Sequence, residues 1–382
     1  MSATSKKWPD FERSGPGTLA GRYLRGFWHP VFASAQLPTG RARPLRIMGQ
    51  DYTLLRTASG RAQVMADRCL HRGTLLSTGA VEGEELRCFY HGWKYDPTGR
   101  CTERPAERTS PESLRLRTYP THETVGLIFA YLGEGKAPPF PPLDPLQGDG
   151  VLFVEALPRP FNYFRQIENA LDEVHFNFVH RVSPFAAQGM IAELPELSCE
   201  DTEFGLSRIS KRGDIERQTF FLMPNSNTSL FFGARRQVWR VPVEDTSHIS
   251  FTVDYFEGTA DEKAKWLAGR QETAALIAAA PPAAEVAAAI VRGELPMEAA
   301  IDHPDLLSVQ DGVALLAQGA YADRENETLG LSDVHMVKMR RLWARDLADL
   351  EAGREPRKWP WPAKLEVTSG LPETKKALAP AK

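Results

Sequence analysis

Between residues 40 and 135 the chain runs through short apolar and polar alternations separated by turn residues. This is the period-two signature of half-buried strands, and it predicts a small all-β domain. A Gly/Pro-punctuated stretch, Ser14 to Gly21, comes before it and leads into the aromatic cluster Phe27, Trp28 and His29. The last strand is predicted over Val125 to Leu132. Pro138, Pro139, Pro141, Pro142 and Pro145 follow, a run that neither continues a helix nor joins the centre of a sheet, so a domain boundary is expected there. Beyond it Gln166 to Val179 has helical spacing. Thr228 to Phe232, Gln237 to Val243 and His248 to Phe256 are rich in β-branched and aromatic residues and read as antiparallel strands. The Ala-rich segment Glu272 to Val291, interrupted at Pro281 and Pro282, reads as two short surface helices. A final helix is signalled by Ser332 as N-cap, Asp333 in the first turn, apolar Val337 and Leu342, and Gly353 past its end. The tail after Trp361 is expected to be loose. The organisation is therefore α+β, with a lead segment over 1–39, an all-β domain over 40–137, an α+β domain over 138–355 and a tail over 356–382.

Composition narrows what such a chain does. Its 382 residues suffice for two separate cores. Lys and Arg number 46 against 49 Asp and Glu and are scattered, which argues against a nucleic-acid partner. The stretch Met1 to Arg13 lacks the apolar core of a signal peptide, and no run approaches the roughly 18 apolar residues a membrane span needs. A soluble, cytoplasmic protein without a membrane partner is expected. Four cysteines are too few for a disulfide framework in so long a chain, and a reducing compartment leaves thiolates free to bind metal.

Their spacing is informative. Cys69 and His71 form a Cys-x-His pair, Cys88 and His91 a Cys-x2-His pair, and sixteen residues separate His71 from Cys88. Two loops of this kind can pinch one metal centre. A tetrahedral zinc ion accepts the same atoms, but zinc sites with two cysteines and two histidines usually pair like with like and place the histidines on a helix. Here each pair is mixed and lies between strand-like runs, which favours a cluster in which one iron takes two thiolates and the other two imidazoles.

The stretch Cys69-Leu70-His71-Arg72-Gly73 followed by Cys88-Phe89-Tyr90-His91-Gly92-Trp93 resembles the Rieske motif of the aromatic-ring hydroxylating oxygenases. The resemblance implies one [2Fe-2S] cluster, with Cys69 and Cys88 on one iron, His71 and His91 on the other, and Trp93 packed beside it. Cys101 and Cys199 fit no motif and read as small buried apolar residues.

A second pattern, N-x2-D-x2-H-x4-H, is made by Asn169, Asp172, His175 and His180. The first three share one side of a helix. His180 lies about 140° round an ideal helix from His175, so it joins His175 only where the helix unwinds or ends, for which Arg181-Val182-Ser183-Pro184 is a candidate. Two histidines and a carboxylate on one face of an octahedron leave positions open for dioxygen, the arrangement of non-haem Fe(II) oxygenases. Four of the nine histidines thus fall into two metal-like patterns.

The same oxygenase family carries this second motif. It implies that His175 and His180 ligate a mononuclear Fe(II), that Asn169 sits beside it and that Asp172 bridges the two metal centres. The third ligand is a distant carboxylate. Ser308-Val309-Gln310-Asp311 with Gln318-Gly319 resembles the ligand-bearing helix, with Asp311 and Gln318 on one face. Asp311 is preferred to Asp302 and Asp305 because it alone lies in the apolar Val309 to Leu316 run. The resemblance spans Gly15 to Leu347, and Gly15 to Arg25 and Ala322-Asp323-Arg324 are most similar to the subgroup of phthalate dioxygenase and dehydrodivanillate O-demethylase.

For the fold, the resemblance implies a curved antiparallel sheet covered by helices behind the all-β Rieske domain. For function it implies a terminal oxygenase acting on a small aromatic substrate and dioxygen in a homotrimer, with Asp172 linking His91 of one subunit to His175 of the next. The leading expectation is O-demethylation or monooxygenation of an aromatic acid, the alternative a ring cis-dihydroxylation. A Rieske electron carrier without oxygenase activity would leave the residues after 150 without purpose. Neither a Gly-rich dinucleotide loop nor a four-cysteine cluster is present, so electrons from NAD(P)H are expected to arrive only through a separate reductase or ferredoxin. Candidate pocket segments are Met223 to Phe232, the strands through Phe256 and Val286 to Met297, and Arg212, Arg217, Arg235, Arg236 and Arg240 are eligible to meet a substrate carboxylate.

Overall fold

The structure, a computed structural model, describes residues 8–107, 113–183, 186, 191 and 193–368. Two compact units divide the chain. One comprises the described residues of 14–140 with 241–244, the other those of 8–13, 141–240 and 245–368.

In the first unit, α1 (Leu19–Arg25) is capped by Thr18, whose hydroxyl accepts the Gly21 N–H. Eleven short strands follow, β1 (Trp28–Ala33), β2 (Arg41–Ile47), β3 (Gln50–Arg56), β4 (Ala62–Ala66), β5 (Ala80–Glu82), β6 (Glu85–Arg87), β7 (Lys94–Tyr95), β8 (Cys101–Glu103), β9 (Thr118–Tyr119), β10 (Thr121–Thr124) and β11 (Leu127–Tyr131). They form three small antiparallel sheets, ordered β1-β11-β10, β2-β3-β4-β9 and β5-β6-β7-β8. Two loops project from the last of these and its neighbour, residues 69–75 after β4 and 88–93 between β6 and β7. Each is closed by a glycine N–H returning to a cysteine carbonyl, Gly73 to Cys69 at 2.9 Å and Gly92 to Cys88 at 3.2 Å. Both glycines adopt φ of 71°, where a side chain is strained, and a Cβ on Gly92 would also press on the Pro105 ring. Below the loops lies a core of Leu55, Met65, Leu76, Leu86, Tyr95 and Leu116, in which Cys101 is packed as a small apolar residue.

The second unit is built on β12 (Val151–Arg159), β13 (Glu196–Asp201), β14 (Gly205–Arg212), β15 (Ile215–Leu222), β16 (Ser226–Phe231), β17 (Ala234–Glu244) and β18 (Ser247–Phe256), whose last four β17 residues group with the first unit. Their order is β12-β18-β17-β16-β15-β14-β13. The sheet is large, antiparallel and covered by helices, but the expected curvature is absent. The sheet is not curled. Its edge strands β12 and β13 pair with different neighbours, and the β12/β18 and β13 to β17 registers run without a shift. Bulges are the usual means of bending a strand, and these pairings contain none.

The helices are α2 (Tyr163–Leu171), α3 (His175–Phe178), α4 (Ala260–Ala279), α5 (Ala283–Val291), α6 (Leu306–Leu316) and α7 (Val334–Glu351). The single helix expected over Gln166 to Val179 is in fact two. Asp172 leaves the helical region with ψ of 120°, and the three residues Asp172, Glu173 and Val174 separate α2 from α3. The break therefore precedes His175 instead of following it, and Pro184 of the expected end lies outside the described residues. The Ala-rich region is one long helix and one short one, because α4 starts early at a capping box between Thr259 and Glu262. Ser332 lies within a short 3₁₀ turn, and Asp333 takes the N-cap position of α7, its carboxylate accepting the Gly330 N–H. The tail is not loose as far as Thr368, since Leu365 packs on Phe220 and Leu222, and Thr368 pairs with Gln218.

One charged network anchors α2. Glu12 accepts from Arg165 and Arg324, and Glu168 accepts from Arg324 and from Arg340 of α7. Glu12 is buried and Glu168 partly so, and each faces more than one guanidinium. Among the described residues no single helix is long and apolar enough to cross a membrane.

Candidate metal centres

The two loops of the first unit bring the four expected cluster ligands to one end of its core. Cys69 and Cys88 are buried, whereas His71 and His91 are exposed. Burial pushes the Cys88 thiol up, and the adjacent Cys69 adds to this. A free thiolate is thus disfavoured there, and a bound cation would reverse the balance. The His91 ring is pulled down by burial and by neighbouring His71 and Arg72, which suits a neutral ring offering a lone pair. The two imidazoles stand edge to face with centroids 4.5 Å apart. Trp93 lies flat against His71 at 4.8 Å and 3°, and the Arg104 guanidinium sits 5.5 Å from the indole centre. Tyr95, not singled out from sequence, also contacts the site. Its hydroxyl accepts the Leu70 N–H at 3.1 Å, leaving its proton for Cys69 Sγ, also at 3.1 Å.

Buried thiols beneath exposed imidazoles make a graded site, sulfur inside and nitrogen outside. Among the described residues, the only His, Cys, Asp or Glu group with three ligand atoms all within 4.8 Å of one another is in the other unit. A tetrahedral zinc ion would draw its donors to within about 4 Å of each other. Two separate ligand pairs are what a two-iron cluster requires, so the residues present fit that group.

That close-set group is His175, His180 and Asp311. Asp311 Oδ1 lies 3.7 Å from His175 Nε2 and 3.2 Å from His180 Nε2, and the two rings are 5.1 Å apart at 68°. The other nitrogen of each ring is occupied. His175 Nδ1 faces the main-chain carbonyl of Asp172 at 2.8 Å, and His180 Nδ1 faces Gln310 Oε1 at 2.8 Å. Both acceptors require a proton on Nδ1, which leaves both Nε2 lone pairs directed at the Asp311 carboxylate. Lone pairs opposite a carboxylate repel unless a cation lies between them, and Asp311 Oδ1 is buried without a hydrogen bond. This donor set fits a divalent iron with open positions. Burial opposes ionisation of Asp311, but the His180 and His175 rings outweigh it and hold the carboxyl below its usual range, with Asn169 adding to the effect.

Local structure explains how widely spaced residues meet. The break after α2 frees Asp172, whose carboxylate accepts the Val174 and His175 N–H groups at 2.8 and 3.3 Å and so starts α3. Asn169 occupies the last turn of α2. The Asp172 carboxylate is 3.9 Å from His175 Nδ1 and partly exposed. Asp302 is exposed and Asp305 precedes α6, and neither enters the group. Gln318 lies past the end of α6 and is exposed, so it does not share a face with Asp311. Gln310 is the residue that sequence reasoning passed over, although its adjacency to Asp311 in an apolar run was a usable signal.

Behind His175 sits Glu173, buried. Burial alone would raise its pKa, but Arg217, Arg208 and Arg212 hold it at about 2. Arg217 pairs with it at 2.8 Å, and Arg212 reaches both its carboxylate and its main-chain oxygen. Arg208 donates to the Ala170 carbonyl of α2 at 3.1 Å. These contacts tie the iron-side helices to β14 and β15. Burial pulls His335 of α7 down while it bridges the Leu171 and Ser198 carbonyls.

Comparison with known proteins is consistent with both centres. Residues 27–120 match the Rieske [2Fe-2S] domain family. The 5,5'-dehydrodivanillate O-demethylase oxygenase subunit of a Sphingobium species is 29% identical over 368 residues, covering 90% of this chain and 80% of that protein. The phthalate 4,5-dioxygenase oxygenase subunit of Pseudomonas putida is 28% identical, covering 87% and 83%. Among solved structures, a caffeine-bound NdmA variant of Pseudomonas putida CBB5 superposes with a TM-score of 0.67 at 20% identity, covering 88% of this chain and 94% of that one, a likeness of fold.

Proposed function

We propose, from the premise that this chain is a Rieske-domain aromatic-ring hydroxylating oxygenase alpha subunit related to the phthalate dioxygenase and dehydrodivanillate O-demethylase terminal oxygenases, that it oxidises an aromatic acid, foremost by O-demethylation. The observation that carries this reading is the convergence of His175, His180 and Asp311 with both Nδ1 positions occupied, in a chain that also holds the Cys69, His71, Cys88 and His91 quartet. An iron held by His175, His180 and Asp311 would supply the activation of dioxygen.

The chain's own residues supply position and protonation state. The Asp172 carbonyl and Gln310 keep His175 and His180 in the tautomer that presents Nε2. Cys69 and Cys88 would hold the inner iron of the cluster and His71 and His91 the outer, exposed one, where an electron enters or leaves. The Asp172 carboxylate, partly exposed beside His175, is assigned the link to His91 of a neighbouring subunit in a homotrimer. Insertion of one oxygen atom into a methoxy C–H bond gives a hemiacetal, which breaks its O–CH2 bond to release formaldehyde and leave the phenol. Electrons originate from NAD(P)H and reach the cluster through a separate reductase or ferredoxin, in the cytoplasm. Ring cis-dihydroxylation is the second reading, favoured by the likeness to the phthalate 4,5-dioxygenase subunit.

The deciding experiment is turnover with a surrogate reductase, NADH and labelled dioxygen over methoxylated and unsubstituted aromatic acids, with products read by mass spectrometry. Loss of CH2 with formaldehyde release supports O-demethylation. A product carrying two labelled oxygens and two added hydrogens replaces it with ring dihydroxylation, and absence of any oxygenated aromatic product refutes both.

A further inference from the structure

The second ligand loop, residues 88–93, is braced from outside by three consecutive residues at the end of β8. Glu103 accepts from Arg87 at 2.8 Å, and Arg87 also donates to the Gly92 carbonyl at 2.9 Å. The Pro105 ring packs on Gly92, where a Cβ would come within 3.1 Å of it. Between them, Arg104 places its guanidinium 5.5 Å from the centre of Trp93, the indole that lies flat against His71 at 4.8 Å. Cation, indole and imidazole thus form an unbroken series that ends on a ligand of the outer iron.

Arg104 differs from the other arginines at this end of the unit in how far it is withdrawn from water. Arg68 and Arg72 are exposed, and the Tyr90 ring beneath Arg72 is 53% exposed. Arg104 is half-buried, its Nε is shut off from solvent, and the indole beneath it is 9% exposed. Its charge is felt inside as well. Burial pushes up the thiol of Cys101, which packs in the same core as Cys69 and Cys88, and Arg104 opposes that rise. An exposed charge is largely screened by salt beyond a Debye length, about 10 Å at 0.1 M, whereas a partly buried one is screened much less. Uptake of one electron makes the cluster more negative, so a cation shielded in this way favours the reduced form.

We propose that Arg104, held over Trp93, raises the reduction potential of the Rieske cluster and so sets how readily it accepts an electron from the external donor. The step concerned is the transfer of one electron from the separate ferredoxin or reductase, which is oxidised, to the cluster, which is reduced, with no bond made or broken. Reached by way of the indole, the guanidinium lies about 10 Å at most from the His71 ring, and a unit charge at that range in a medium of effective permittivity about 20 shifts a one-electron equilibrium by roughly tenfold, which is about 59 mV. The role holds whichever aromatic compound the iron site oxidises.

The test is a redox titration of the full-length holoenzyme, monitored by electron paramagnetic resonance at one fixed pH and at low and high salt. Arg104→Gln is expected to lower the midpoint potential by about 59 mV, a roughly tenfold loss in the reduced-to-oxidised ratio at a given poise, and to do so equally at both salt concentrations. Arg104→Lys should stay within about twofold of wild type in that ratio, since it keeps the charge, and Arg104→Glu should fall further than Arg104→Gln. Arg61→Gln, which removes an exposed arginine from the turn between β3 and β4, should leave the ratio unchanged. Visible circular dichroism of the cluster, with iron and sulfide counts, reports whether each variant is intact. Arg104→Met, which keeps an unbranched apolar stem, replaces Arg104→Gln if the latter loses its cluster. A ratio within about twofold of wild type in the neutral variant, a loss in Arg104→Lys as large as in Arg104→Gln, or an equal loss in Arg61→Gln overturns the role. So does a shift that vanishes at high salt. Loss of the cluster from both neutral variants makes Arg104 a brace of the loop and overturns the tuning role as well.

Discussion

Replacing Gln310 with leucine isolates what the second ring nitrogen of His180 contributes. The hydrogen bond between them is 2.8 Å long, and both residues are buried, His180 at 2% exposure and Gln310 at 4%. Leucine is close in size, so the change removes the acceptor more than it opens space. The His180 Nδ1–H would then be left buried and unpartnered, at a cost of about 1–3 kcal/mol. The ring could escape that cost by moving the proton to Nε2, which destroys the ligand lone pair. Either route falls on metal affinity, and loss of such a partner typically weakens it roughly 10- to 100-fold. The assay is anaerobic Fe(II) titration of protein freed of its mononuclear iron, with the visible absorbance of the cluster as internal control for folding. The Gln310→Glu variant, which still accepts from Nδ1, should bind iron as tightly as wild type or more so. A leucine variant that binds Fe(II) within about twofold of wild type, with its cluster intact, refutes the argument that Gln310 sets the tautomer.

Three further outcomes are expected. Asp172→Asn should keep both metal centres by spectroscopy yet lose most cluster-to-iron electron transfer in single-turnover experiments, and normal transfer would remove the assignment of this carboxylate. Tyr95→Phe deletes the O–H that contacts Cys69 Sγ, so the reduced cluster should become harder to form, lowering its midpoint potential by about 40–60 mV for a bond of about 1–1.4 kcal/mol. Protein-film voltammetry giving an unchanged or higher potential would contradict this. Burial lowers His29 to about 4 and His248 to about 3, below the unfolded value of about 6.5. Each therefore contributes stability that is complete above pH 6.5 and is lost as pH falls from there towards 4 and 3 respectively. At pH 5 the loss is about 2 kcal/mol from each residue in its own unit. Urea melts of His248→Gln should show a correspondingly smaller loss between pH 7 and pH 5 than wild type, and equal losses would refute the linkage.

Sequence revealed the sites better than the frame that carries them, for a physical reason. Cys69, His71, Cys88 and His91 act through two tight loops, so their geometry is nearly local and their spacing is the information. Asp311 was legible because an acid in an apolar helical run has few solvated explanations. Gln310 was not, because an uncharged polar residue beside it has many. The break at Asp172 was misplaced since Glu173 and Val174 carry no Gly or Pro. What ends α2 is Asp172 turning its own carboxylate onto the amides of Val174 and His175, together with a cage of arginines 35 to 44 residues beyond Glu173 that fixes it. The flatness of the large sheet also escaped, because curvature depends on bulges and packing and not on the apolar pattern of its strands.

An uncurled sheet has a consequence for how this protein stays dispersed. Because β12 and β13 end the order without meeting, each has one edge outside the sheet's own ladder, the kind of edge on which another chain could add a strand, although at β13 His335 and Lys338 of α7 already engage the Ser198 and Cys199 carbonyls. The sequence counters this at both rims. β13 carries exposed Glu196, Glu200 and Asp201, so a second copy arriving edge to edge meets like charge. β12 carries Pro158, which cannot donate to an added strand, and Glu155 on it is bound by Arg270 of α4. Neutralising the three acids of β13 would therefore leave both metal centres untouched while making the protein prone to associate through its backbone.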